Sequence, residues 1–103
     1  MGINIGSIVK IKKGHQDNRG YDDFFKECDK YEHLFIVTRM SIYDDIHIIT
    51  KLSAEYNEDT ITSNNSGNIV MLEKHLELIE ITREDLIKHV ENMQKRWINE
   101  SIQ

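Results

Sequence analysis

Two runs rich in β-branched and aromatic residues, Leu34–Met40 and Ile46–Leu52, flank a short polar corner at Ser41–Asp45. Ile, Val, Phe and Thr dominate both runs, and such side chains suit a pleated, half-buried surface. Asp44 and Asp45 at the corner tolerate tight-turn geometry and can bond their own main chain. A central hairpin is therefore expected, and the other elements must fit around it.

Upstream, Ile8–Lys13 reads I-V-K-I-K-K, close to strict alternation, which predicts a first strand over 7–13 between Gly6 and Gly14. The following stretch, HQDNRG at 15–20, has no apolar residue and would leave His15 and Arg19 in water. The period then changes. Tyr21, Phe24, Phe25, Cys28 and Tyr31 fall on one stripe of an α-helix, with Asp22 and Asp23 at its front and Lys30 at its back, as the helix dipole favours. A short helix over 21–31 is predicted, with Cys28 turned inward as a buried, inert thiol.

Downstream of the hairpin, SAEYNED at 53–59 is acidic and loop-like, with Tyr56 as its one large side chain. Thr60–Thr62 is a candidate short strand, SNNSGN at 63–68 is a turn signal, and Ile69–Leu72 is expected as the other arm of a second hairpin. Glu73–His75 interrupts the pattern before a final strand at Leu76–Ile81. Thr82 is a good N-cap with Asp85 three residues on, and Ile81 can act as a staple against Leu86. Leu86, Val90, Met93 and Trp97 then form a helical stripe over 83–99. Folded back on the sheet, this helix would use Trp97 as a core anchor; projecting outward, it would be a docking face for a second subunit, making a homodimer.

Five short strands with a long first connection and two hairpins resemble an SH3-like small β-barrel. The resemblance is carried by IGSIVKIKKG at the start, the paired strands LFIVTRM and DIHIITKL, and the ending IVMLEKHLELIE. It implies a mainly β, α+β fold: a barrel over 6–81 with a helical insert near 21–31, a helical turn at Leu72–Leu76, and a C-terminal helix over 82–100, in one domain of 103 residues. The acidic-aromatic signature of proline-rich peptide grooves is missing, and the one tryptophan lies in the terminal helix. Proline-rich peptide binding is therefore not implied.

Charge and motif arguments narrow the functional classes. The net charge of −5 combines +3 over residues 1–20 with −8 over residues 21–80, while 81–103 is balanced. No run approaches the ~20 apolar residues of a membrane span, and residues 1–14 lack the features of a secretion signal. One cysteine makes no internal disulfide, so a cytoplasmic setting is expected. Cys28, His15, His33, His47, His75 and His89 show no paired zinc-knuckle spacing. The glycines are too scattered for a phosphate loop. Three of the four adjacent carboxylate pairs have turn or helix-start roles, and nothing points to the burial that acid–base catalysis needs. No catalytic residue, metal or cofactor is expected.

Two binding readings follow. In the first, Tyr43, Asp44, Asp45, Glu55, Tyr56, Glu58 and Asp59 gather at one end of the barrel and contact a protein partner with a basic surface. Its extreme form is an acidic inhibitor that fills a basic groove, in the manner of phage-encoded proteins, and the Ile/Asn/Lys-rich composition has the style of low-GC mobile elements. In the second, Lys10, Lys12, Lys13 and Arg19 contact nucleic acid weakly and with steep salt dependence.

Overall fold

Neighbouring residues on the sheet bury in opposite directions, and a helix covers each of the two apolar faces that result. The computed structural model describes residues 2–41, 45–54 and 61–102, and leaves aside the side chains of 53–54, 61–67, 97–98 and 101–102. In chain order the elements are β1 (Ile8–Ile11), α1 (Asp22–Tyr31), β2 (Phe35–Met40), β3 (Ile46–Ala54), β4 (Ile61–Leu72), a 3₁₀ turn (Glu73–His75), β5 (Leu76–Leu78) and α2 (Arg83–Ile102). The strands form one open antiparallel sheet in the order β4-β3-β2-β1-β5, so this is a small α+β domain rich in β structure.

β1 opposes Ile8 to Ile36 and Val9 to Phe35 on β2. Because side chains alternate across a strand, these two pairs point to opposite faces. Val9, Ile11, Phe35, Val37 and Ile49 form one cluster with Phe25 and Cys28 of α1. Ile8 and Ile36 instead pack against the cluster of Tyr31, Leu34, Leu52, Val90 and Met93, which brings in α2. Phe25, Cys28 and Tyr31 of the first stripe and Val90 and Met93 of the second are thus buried, whereas Tyr21, at the head of the first, stays exposed. Burial also raises the Cys28 thiol to about 12, so it stays protonated and unreactive at neutral pH.

The helix ends follow local chemistry. Thr82 Oγ1 accepts the Asp85 backbone N–H at 3.2 Å, which caps α2 as its sequence predicts. α1 ends on Glu32, held in the left-handed region at φ 54°, and the His33 N–H closes back on the Cys28 carbonyl at 3.2 Å. The side chain of Trp97, a candidate core anchor, lies outside the described residues.

Two expectations about strands are corrected. SNNSGN does not turn the chain into a hairpin: β4 runs from Ile61 to Leu72, and both its halves pair with β3. The pairings Thr50↔Asn68 and Leu52↔Ser63 leave residues 64–67 opposite Lys51 alone, so the Asn/Gly segment is taken up as a bulge. β3, with nine residues, is long enough to pair with both halves. The final strand is also shorter than 76–81: it ends at Leu78, the Ile79 N–H still bonds the Ile8 carbonyl at 2.9 Å, and Ile79 and Ile81 pack against the α2 cluster.

Phe35 is fully buried at the centre of the α1-facing cluster. Replacing Phe35 with Ala is expected to cost about 3–5 kcal/mol in urea unfolding. A loss below about 1 kcal/mol would contradict this assignment of the core.

Candidate functional site

The loop after β1 is organised by one carboxylate. Asp17 Oδ2 accepts hydrogen bonds from Arg19 Nη2 (2.7 Å) and Nε (3.1 Å) and lies 2.9 Å from His15 Nε2, while its Oδ1 accepts the Arg19 backbone N–H at 3.0 Å. The Arg19 hydrogen bond, chiefly, holds the Asp17 carboxyl well below the usual carboxylate range. Gly14 and Gly20 take positive φ values of 78° and 83°, and the Gly14 N–H is anchored on Asp29 Oδ2 at 3.0 Å.

So held, Arg19 reaches across the fold. Its Nη1 donates to the Val70 carbonyl at 2.6 Å, its Nη2 contacts Met71 Sδ at 3.2 Å, and the guanidinium lies over the rings of Tyr21 (5.4 Å) and Phe25 (5.9 Å). The loop thereby joins the β1 side of the sheet to edge strand β4. Between them lies a cleft of about 260 Å³, lined by His15, Asp17, Arg19, Ile46, Leu72 and His75 among others. Around it Tyr21 (47% exposed), Val70 (46%) and Leu72 (40%) face solvent.

His15 is not in water, contrary to the polar reading of its loop. Its side chain is only 6% exposed and packs edge-on to Phe25 at 4.6 Å and beside His75 at 4.5 Å. Asp17 provides the hydrogen bond that makes this burial tolerable. His75, half-buried on the 3₁₀ turn, titrates lower than an ordinary histidine, first through desolvation and then through the nearby positive charges of His15, Lys74 and Lys12. Lys74 and His75 thus join the basic loop, which local reading of the chain does not reveal. They arrive because the Lys12 N–H bonds the His75 carbonyl at 2.9 Å across a separation of 63 residues.

The other candidate residues separate. Lys10 pairs with Glu77 on β5 at 3.4 Å, and Arg19 is committed to Asp17 and Val70. Lys12 and Lys13 are exposed. Asp45 is exposed just before β3, and its carbonyl accepts the Glu73 N–H at 2.7 Å. Tyr43, Asp44, Glu55, Tyr56, Glu58 and Asp59 lie outside the described residues. Asp45 precedes one end of β3 and residues 55–60 follow the other. Nine strand residues place those ends roughly 26 Å apart at ~3.3 Å per step.

Among the described residues, no group of three His, Cys, Asp or Glu side chains is arranged to hold a metal ion, and no helix is long and apolar enough to cross a membrane. No protein-family model, curated protein or solved structure matches this chain.

Replacing Asp17 with Asn should free Arg19 and loosen the loop. Amides of residues 15–20 are expected to exchange several-fold faster, with those of β2 and β3 unchanged, and unchanged loop exchange would contradict the latch. The folded-state pKa of Asp17 is depressed, so its stabilising contribution is complete above the ordinary value of 3.8 and fades only at lower pH.

Proposed function

We propose that this chain is a non-enzymatic, cytoplasmic binding module of SH3-like architecture that acts through protein–protein contacts. The strand order β4-β3-β2-β1-β5, the 3₁₀ turn between β4 and β5 and the helix in the first connection support the SH3-like reading. The observation that carries the functional reading is the face formed by Tyr21, Arg19, Val70 and Leu72 around the cleft. Tyr and Arg are enriched at protein interfaces, and here the guanidinium is already ordered by Asp17, which lowers the entropy cost of using it. Exposed Val70 and Leu72 add apolar area beside it. The corner carboxylates Asp44 and Asp45 beside Tyr43, with Glu58 and Asp59 beside Tyr56, would bias the partner toward a basic surface. In that role the protein acts as a small inhibitor or regulator.

The tagged protein should recover a defined partner from host lysate after nuclease treatment. The double substitution Val70→Asp and Leu72→Asp, checked by circular dichroism for an intact fold, should reduce that recovery at least tenfold. Undiminished recovery by the folded variant would remove the face from the interaction.

A second reading, nucleic-acid binding, is favoured by the meeting of Lys12 and Lys74 beside His75. With Lys13 they supply three cations that form no ion pair among the described residues. Three phosphate contacts on a single strand would give a log–log salt slope of about −2. Fluorescence anisotropy with a labelled single-stranded oligonucleotide should show that slope, and Lys12→Gln, Lys13→Gln and Lys74→Gln together should abolish it. Binding that survives the triple substitution would sink this reading.

A further inference from the structure

The cleft beside the 3₁₀ turn holds a histidine whose ring neither binding reading puts to use. His75 lines the cleft and is half-buried, and no hydrogen bond reaches either of its ring nitrogens among the described residues. Its ring packs beside His15 at 4.5 Å, and its carbonyl is fixed by the Lys12 N–H at 2.9 Å. The imidazole is therefore held in place with both polar atoms unpaired.

The charges that face this ring are mostly of one sign. Lys74 comes from its own turn, and Lys12 and His15 come from the chain that leaves β1; all three act on His75 against a proton. Asp17 acts the other way, but its carboxylate is already shared between Arg19 and His15. Glu73, on the same turn, lies 3.3 Å from His47 Nε2. Lys12 and Lys74 are exposed and form no ion pair among the described residues. A chain of net charge −5 thus gathers uncompensated positive charge at one cleft. Gln16 and Asn18 also line it and add amide donors.

We propose that this cleft binds a phosphomonoester, with His75 as the proton-carrying donor to the phosphate and Lys12 and Lys74 as its charge partners. A phosphomonoester brings close to two negative charges and three acceptor oxygens, which suits a site of cations and N–H groups. Ile46, Val70 and Leu72 of β3 and β4 line the same cleft and offer apolar surface to the body of the ligand. The proposal goes beyond the nucleic-acid reading, with which it shares Lys12 and Lys74, because it requires a terminal phosphate and a proton on His75.

Desolvation, then His15, Lys74 and Lys12, holds the pKa of the free ring below 6.5. A bound anion favours the imidazolium, so anion binding and proton uptake strengthen each other. Affinity therefore rises as pH falls from the pKa of the ring in the complex toward its pKa in the free protein, by at most about tenfold per pH unit for one proton.

NMR titration of the intact chain with sulfate at pH 7.5 and pH 5.5 tests the proposal, because sulfate keeps both charges throughout this range. Sulfate affinity should rise roughly tenfold at the lower pH, and saturating sulfate should move the pKa of the His75 ring upward. Phenyl phosphate should bind several-fold tighter than inorganic phosphate through its apolar body. His75→Gln, whose backbone can still bond Lys12, should remove most of the pH dependence with the fold intact by circular dichroism. A His75 pKa unmoved by sulfate, an affinity independent of pH, or equal binding of phenyl phosphate and phosphate would each overturn the proposal. A single-stranded oligonucleotide without a terminal phosphate separates the two readings. Oligonucleotide binding with no sulfate effect on His75 overturns the proposal alone, and proton-coupled sulfate binding with no oligonucleotide binding upholds it while removing the nucleic-acid reading.

Discussion

The pairing of β1 with β2 puts Val9 and Phe35 on one face of the sheet and Ile8 and Ile36 on the other, and the rest of the structure depends on this two-sided burial. A sheet with apolar side chains on both faces needs two covers. α1 supplies one through Phe25 and Cys28, and α2 supplies the other through Val90 and Met93. The long connection between β1 and β2 is therefore a structural necessity, since it contains the first cover. The terminal helix is equally part of the fold, and its apolar stripe is spent on the sheet rather than left for a second subunit, at least over Val90 and Met93.

The same connection produces the candidate site. Leaving β1, the chain turns at Gly14 and Gly20, and between them the Asp17 carboxylate aims Arg19 at the Val70 carbonyl. An edge strand exposes unpaired carbonyls that invite association with other strands, and a guanidinium placed on one of them blunts that tendency. What stays exposed beside it are side chains: Tyr21 next to the guanidinium, and Val70 and Leu72 on the cleft. Protection of the edge and ordering of the guanidinium beside the cleft thus come from one ion pair.

Elements with a strong local period were legible in the sequence. The Tyr21–Tyr31 stripe became α1, the Thr82 cap and the Leu86/Val90/Met93 stripe became α2, and the two β-rich runs became β2 and β3. The misreadings have one cause. SNNSGN has the composition of a turn, yet β3 offers enough length to pair on both sides of it, and that partner is remote in sequence. HQDNRG has the composition of a solvated loop, yet His15 meets Phe25 and His75, and Arg19 meets Val70 over a separation of 51 residues. Lys74 and His75 read as an interruption between strands, because only the third dimension sets them beside Lys12. Of the acidic residues expected to gather at one end, only Asp45 is among the described residues, just before β3.

Two-sided burial is most directly tested by nuclear Overhauser contacts in isoleucine-methyl-labelled protein. The Ile8 and Ile36 methyls should contact Val90 or Met93 of α2, while those of Ile11 and Ile49 contact the α1-side cluster of Phe25 and Phe35. Contacts from Ile8 or Ile36 to Phe25, or the absence of any contact between them and α2, would place both helices differently and contradict the fold described.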